Sequence, residues 1–302
     1  MNDNRYFASD SPDAFERERL ALLTQIADPI TIRRLTVRGV APGWRCLDVG
    51  AGDGSVACWL AKTVGPTGRV VATDINPSFL DGQGLNNFEI RRHDLLKDDL
   101  EVGHYDLVHC RFVLQHLPDP IRGLRRMADA VRPGGWLLVE EFDIGALAAV
   151  DPGHPRAAAF DRASRVLWSA MQAGGPIDPT FGRRLPALLE GCGVRELGHD
   201  GVTLVGRGGD RQARFAQMTD ELLRPRFVAA GVLSDTDFEE KSRAYDDPSF
   251  WFVGFTSFGA WGRRPDERVA RLLQAPAAVA ECQLPRKRDY RWYDVHGCVA
   301  IA

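Results

Sequence analysis

With 302 residues, an apolar fraction of 44% and a formal net charge of −3, the chain has the composition of a globular protein. It is long enough for one α/β domain of roughly 200–250 residues plus insertions. The charge gives no electrostatic case for a nucleic-acid partner, no apolar run approaches bilayer-spanning length, and a start carrying Asp3, Arg5, Asp10 and Asp13 is unlike a signal peptide. The cysteines (Cys46, Cys58, Cys110, Cys192, Cys282 and Cys298) show no metal-site spacing and no disulfide framework, so they read as reduced packing thiols of a cytoplasmic protein without a metal.

From Pro12 to about Leu35, Phe15, Leu20, Leu22, Leu23, Ile26 and Ile30 recur among charges, an amphipathic helical pattern expected to end or kink at Asp28-Pro29. Residues 1–38 are therefore expected to form a helical segment that covers the ligand site, or, as the alternative, merely the sheet edge. Arg45–Val49 is short and β-compatible, whereas Val56, Ala57, Leu60, Ala61 and Val64 keep helical spacing. Between them, Gly50-Ala51-Gly52-Asp53-Gly54 falls where a strand hands over to a helix. Glycine lets the backbone turn sharply and lets a ligand approach without meeting a Cβ, and the helix N-terminus behind it favours an anionic group. Three readings stay open: a plain structural turn, a dinucleotide site, or a site for another adenosine-type ligand. The spacing departs from the dinucleotide G-x-G-x-x-G/A pattern, since Ser55 stands where Gly or Ala is wanted.

A second strand, Arg69–Thr73, ends in Asp74, placed where ribose hydroxyls arrive in such a unit. The alternative is an N-cap for a helix starting near Pro77, a role for which Asn76 is better placed. Beyond a strand ending in Glu140-Glu141-Phe142-Asp143, a first insertion over about 151–179 carries Phe160, Val166, Leu167, Trp168 and Met171 at helical spacing. Leu185 to Gly191 reads as a core helix and Val194 to Val205 as a strand. A second insertion, about 210–247, places Phe215, Met218, Leu222, Leu223 and Phe227 at helical spacing, and Phe250 to Trp261 reads as the final strand. In open α/β sheets ligands bind outside the carboxyl ends of the strands, so both insertions are expected to make an apolar lid there; the alternative is that these residues form the insertions' own core. The tail, 265–302, yields a short helix and a strand by pattern but no functional role, and it leaves a homodimer open.

With these elements in place, the chain resembles a class I S-adenosylmethionine-dependent methyltransferase over roughly residues 40–145, and more narrowly the ubiquinone and natural-product methyltransferases. Leu47-Asp48-Val49-Gly50-Ala51-Gly52-Asp53-Gly54 is similar to the family's first motif, and Asp74 to its ribose acid. Arg92-His93-Asp94-Leu95 resembles the motif whose acid holds the adenine amino group while the next residue packs on the ring. Tyr105–Arg111 with Leu114–Pro120 is similar to the fourth strand and its following helix, and Leu124–Arg132 with Pro133–Val139 to the next helix, turn and strand. The resemblance implies an α/β fold: a seven-stranded, mostly parallel Rossmann-like sheet with helices on both faces. A S-adenosylmethionine-binding core over 39–150 would be completed within 151–264. It implies Asp48, Gly50, Gly52, Gly54, Asp74, Asp94, Leu95 and Arg111 as cofactor-binding residues, and in resembling enzymes the segment before the first strand closes over the cofactor, which brings in Tyr6 and Phe7.

The implied chemistry is in-line methyl transfer to an oxygen, nitrogen or carbon of a small, partly apolar molecule. Alignment alone supplies on the order of 7–11 kcal/mol in the best intramolecular cases, so a catalytic base is optional. His116, just past the fourth strand, is the catalytic candidate, as a base or an orienting partner, against the alternative of a packing histidine. Arg111 reads as a contact to substrate or cofactor carboxylate, or as the partner of Asp143 or Glu141. Those two acids could hold a substrate amine or hydroxyl or brace loops, and His154, Tyr245 and His199 are weaker candidates. Two further classes remain beside methyl transfer: an enzyme of this fold catalysing another step such as cyclisation, and a non-enzymatic nucleotide-binding protein.

Overall fold

The computed structural model describes residues 13–80, 84–173 and 177–266. Tyr6, Phe7, Cys282, Cys298 and all of the tail beyond 266 lie outside the described residues. The first element, α1 (Asp13–Val37), continues through Pro29, where the sequence pattern suggested an end or a kink. It is followed by β1 (Arg45–Val49), α2 (Ser55–Val64), β2 (Arg69–Asp74), β3 (Phe88–Arg92), β4 (Tyr105–Arg111), α3 (Pro120–Ala130) and β5 (Val131–Asp143). After β5 come the two-residue β6 (Ala148–Ala149), α4 (Ala157–Gln172), α5 (Leu185–Gly191), β7 (Arg195–Arg207), α6 (Arg211–Ala229), α7 (Asp235–Asp246) and β8 (Trp251–Arg263). The helix expected near Pro77 is a single 3-10 turn, Pro77–Phe79, whose first N–H groups include one that donates to Asn76.

The strands form one sheet in the order β3-β2-β1-β4-β5-β8, with β7 and β6 also paired to β8. Pairs among β1 to β5 are parallel and those involving β8 are antiparallel. This is the expected Rossmann-like sheet, with the short β6 as an additional eighth strand. The strand order reverses at β1, between β2 and β4, so the carboxyl ends of those three strands frame the crevice where open α/β sheets bind ligands. Apolar residues cover both faces. Leu35, Val56, Leu60, Val64, Val70 and Leu107 make one core, and Leu47, Val108, Leu124, Met127, Leu137 and Leu185 the other.

The insertions meet in one layer. Ala163, Leu167 and Met171 of α4 pack with Leu223 and Phe227 of α6, Leu233 and Phe238. Phe160, Tyr245, Phe250 and Phe252 form a second cluster. Most of the aromatic and aliphatic residues read as pocket lining are thus the layer's own core. The layer also reaches α1: the Arg19 guanidinium lies 5.7 Å from the Phe215 ring centroid, and Arg214 Nε donates to Glu18 at 3.2 Å.

Candidate functional site

The glycine turn is stitched to β2 by the N–H groups of Gly50 and Ala51, both donating to the Thr73 carbonyl at 2.8 and 3.0 Å. Gly50, Gly52 and Gly54 all have positive φ, at 67°, 59° and 84°. The first two glycines do different work. A Cβ on Gly50 would lie 2.2 Å from Val113 Cγ2, whereas one on Gly52 would meet nothing nearer than Leu20 Cδ2 at 4.0 Å. Gly50 is therefore required by packing, and Gly52 leaves open space above the turn. Asp74 Oδ2 accepts from the Gly52 N–H at 3.1 Å and Oδ1 from the Asn76 N–H at 2.8 Å, so this acid fixes the turn from across the crevice. Burial pushes its carboxyl above the ordinary aspartate value, against those N–H donors.

Helix α1 runs along the turn on one face. Leu20 Cδ2 stands 4.0 Å from where a Cβ on Gly52 would lie, Thr24 Oγ1 donates to Asp53 at 2.8 Å, and Asp28 accepts from Ser55 Oγ at 3.2 Å. Arg111, at the end of β4, is paired with Asp28 (2.8 Å) and donates to Thr31 Oγ1 at 2.9 Å. The sequence read Arg111 as a contact to substrate or cofactor carboxylate, with a pair to Asp143 or Glu141 as the alternative. Asp143 instead holds Arg183, at 2.8 Å, and Glu141 Oε1 accepts the N–H groups of Val113 and Leu114 at 3.1 and 2.7 Å. Glu141 thus braces the loop after β4, and burial pushes its carboxyl up to about 8 despite those donors.

Three of the sequence candidates have partners within the protein. Asp48 is 2% exposed and its carboxylate lies beneath the turn, 2.6 Å from His109 Nδ1, so it supports the turn rather than facing the crevice. Leu95 is 5% exposed and packs into the core beside Leu114 and Leu124 rather than offering its side chain to a ring. The Asp94 carboxylate accepts from the Leu96 N–H at 2.9 Å and pairs with Lys97 at 2.9 Å, beyond the end of β3. Of the weaker candidates, His154 Nε2 is 3.1 Å from Ser249 Oγ, and Tyr245 is buried in the cluster with Phe160, Phe250 and Phe252.

His116 keeps part of its surface exposed but lies among enough protein that desolvation, followed by the Arg19 guanidinium, pushes its pKa down to about 3. Its imidazole is therefore neutral throughout the physiological range. Proton uptake at neutral pH, the base role considered from sequence, is opposed by that environment, because the ring would have to gain charge where charge is poorly solvated. A neutral ring retains one donor and one acceptor nitrogen for orientation.

A feature that sequence reading missed lies directly below. His109 bridges two carboxylates, Asp48 at 2.6 Å and Glu140 at 3.1 Å, and Glu140 also accepts from Thr31 Oγ1 at 2.6 Å and pairs with Arg34. Arg34 continues to the Ser257 carbonyl at 2.7 Å and to Asp200. Burial opposes charge on His109, yet Asp48 and then Glu140 hold its pKa up, to about 9; burial likewise opposes the Glu140 carboxylate, and His109 with Arg34 holds it down to about 2. Buried charges persist only when paired in this way. The available signal was a histidine and an acid inside otherwise apolar strands; only the register, which sets Asp48 against His109, joins them.

A parallel sheet reversing at a glycine turn, with an acid at the tip of the neighbouring strand, makes a Rossmann-like core. Residues 47–137 match the family model described as methyltransferase domain. The chain is 34% identical over 148 residues to "Methyltransferase str2" of Strobilurus tenacellus, covering 48% of this chain and 51% of that protein. It is 37% identical over 120 residues to "Ubiquinone/menaquinone biosynthesis C-methyltransferase UbiE" of Pseudomonas fluorescens (strain SBW25), covering 36% of this chain and 47% of that protein. The chain therefore spans about half the length of the curated relatives it matches. Over residues 47–137 the chain is therefore similar to a methyltransferase domain. Among the described residues, no helix is long and apolar enough to cross a membrane.

Proposed function

We propose that the chain transfers a methyl group from S-adenosylmethionine to an oxygen, nitrogen or carbon of a small, partly apolar molecule. The observation that carries this reading is the glycine turn: left-handed glycines, open space at Gly52, and Asp74 directly across it. These residues fit an adenosine-type ligand, since the cradle would be filled by any side chain at Gly52 and a carboxylate stands where a ribose diol would donate. When bound, S-adenosylmethionine supplies a methyl group already activated by its sulfonium centre.

The chain's own residues then bind, orient and exclude water. Gly50, Gly52 and Gly54 shape the cradle, with Asp48 supporting it from below through His109. Asp74 takes the ribose, and Asp94 with the backbone at Leu95 borders the adenine end beyond β3. Arg111 stands at the amino-acid end. His116, neutral beside Arg19, orients the acceptor by hydrogen bonding rather than by taking its proton. The α4–α6–α7 layer, joined to α1 through Arg19 and Phe215, shields the transfer from water.

Incubation with methyl-labelled S-adenosylmethionine and a panel of small phenols, amines and carbon acids tests the reading. Label should pass to an acceptor with release of S-adenosylhomocysteine. Cofactor binding without transfer, accompanied by conversion of an added polyene, would favour the cyclisation class; failure to bind cofactor would remove the reading. For His116→Gln, turnover should fall by about 10-fold or more with cofactor affinity kept, and the pH profile between 6 and 8 should keep its shape. A neutral-pH inflection lost in the variant would restore the base role.

A further inference from the structure

We propose that Asp28, on α1, is a cofactor-binding residue that reads the amino-acid end of the ligand: with Arg111 it presents a carboxylate and a guanidinium to a zwitterion, Asp28 to the ammonium and Arg111 to the carboxylate. This rests on the S-adenosylmethionine reading of the glycine turn and adds a helix outside the matched domain to the site.

Three observations converge. Leu20, Thr24 and Asp28 are spaced four residues apart, so they lie on one face of α1; Thr24 and Asp28 touch the turn at Asp53 and Ser55, and Leu20 stands 4.0 Å from where a Cβ on Gly52 would lie. That face ends on Arg111, the cation at the tip of β4, in a pair whose side chains are only 12% and 18% exposed. Asp28 contacts Arg111 and the hydroxyl of Ser55, so its carboxylate and the Arg111 guanidinium stand together beside the turn.

An ion pair held out of water is a poor source of stability but a precise electrostatic template. A ligand bearing both an ammonium and a carboxylate meets each with its opposite, and replaces one internal pair by two intermolecular contacts in a partly desolvated place. A neutral nucleoside cannot do so. The arrangement also explains why Arg111 is restrained by Thr31 and Asp28 in advance: its fork is oriented before any ligand arrives.

The proposal is tested by calorimetric titration of the full chain with S-adenosylhomocysteine and with 5′-methylthioadenosine, which keeps adenine, ribose and thioether but lacks the amino acid. Asp28→Asn, checked for folding by thermal melting, should weaken S-adenosylhomocysteine at least tenfold and leave 5′-methylthioadenosine within about twofold, with Asp28→Glu recovering part of the loss. Equal loss for both ligands means that Asp28 merely seats α1, and no loss for either means that it does not touch the ligand; each overturns the proposal. The wild-type protein provides a test independent of any variant, because the S-adenosylhomocysteine analogue lacking the α-amino group should bind at least tenfold more weakly than the parent, and equal affinity overturns the assignment. If the wild-type protein binds 5′-methylthioadenosine without preferring S-adenosylhomocysteine, only the role of Asp28 fails; if it binds neither, the glycine-turn reading fails as well.

Discussion

At the glycine turn the proposed cofactor surface is made by consecutive backbone atoms, held open by Gly52 and fixed by Asp74; in the α4–α6–α7 layer the conspicuous side chains are turned on one another. Aromatic and aliphatic residues at helical spacing look the same in a sequence whether they line a pocket or fill a core. Main-chain geometry that excludes a Cβ leaves a more specific trace. The two regions should therefore respond oppositely to substitution, the layer through stability and the turn through ligand affinity.

The largest effect is expected in the layer. Phe227, 4% exposed within the shared core of α4, α6 and α7, should cost about 3–5 kcal/mol of stability on replacement by alanine, measured by denaturant unfolding, while the affinity for S-adenosylhomocysteine changes little. A parallel loss of affinity in the folded variant would break the contrast and make the layer part of the cofactor site.

The turn itself splits the same way. Gly50→Ala combines left-handed strain with a Val113 clash and should cost roughly 2–5 kcal/mol of stability. Gly52→Ala carries the strain without the clash, about 1–2 kcal/mol, so its main effect should be weaker cofactor binding. Equal unfolding midpoints for the two variants would show that Val113 yields freely.

Asp74→Ala should weaken cofactor binding by about 1–3 kcal/mol, the usual cost of losing a charged hydrogen-bond partner. Unchanged affinity in calorimetry would remove Asp74 from the ribose.

The smallest effect concerns the buried network beneath the turn. His109 has a folded pKa of about 9, above its ordinary 6.5, so the charged ring stabilises the fold fully below pH 6.5 and that contribution fades as pH rises toward 9. Its size is on the order of 1–3 kcal/mol. Denaturant unfolding at pH 6, 7.5 and 9 should show the wild-type protein losing stability across this window and His109→Gln losing much less. The same slope in both proteins would mean that another group titrates there.

How much of this was legible depends on the range of the interaction. Helix α2, the strands and the glycine turn follow from patterns a few residues long, because a strand-to-helix handover and left-handed glycines are local demands. Helix α1 was visible as an amphipathic pattern, but its passage through Pro29 was not, since its contacts with Asp53, Ser55, Arg111 and Glu140 lie 16 residues or more beyond the helix's end, at sites folding brings to it. The acid that Arg111 pairs with was not legible for the same reason, because the two alternatives, Asp143 and Glu141, lay at the next strand's tip and Asp28 lies on a helix far earlier in the chain.

By itself, then, the sequence determined the order and type of the core elements, the position of the turn and the acid across from it, all of which are written in local spacing and backbone preference. Tertiary structure alone decided that Asp48 faces down to His109, that Leu95 turns into the core, that His116 is kept neutral, and that the two insertions fuse into one layer. Those outcomes depend on strand register, burial and desolvation, which arise only when distant segments are brought together and water is removed from between them.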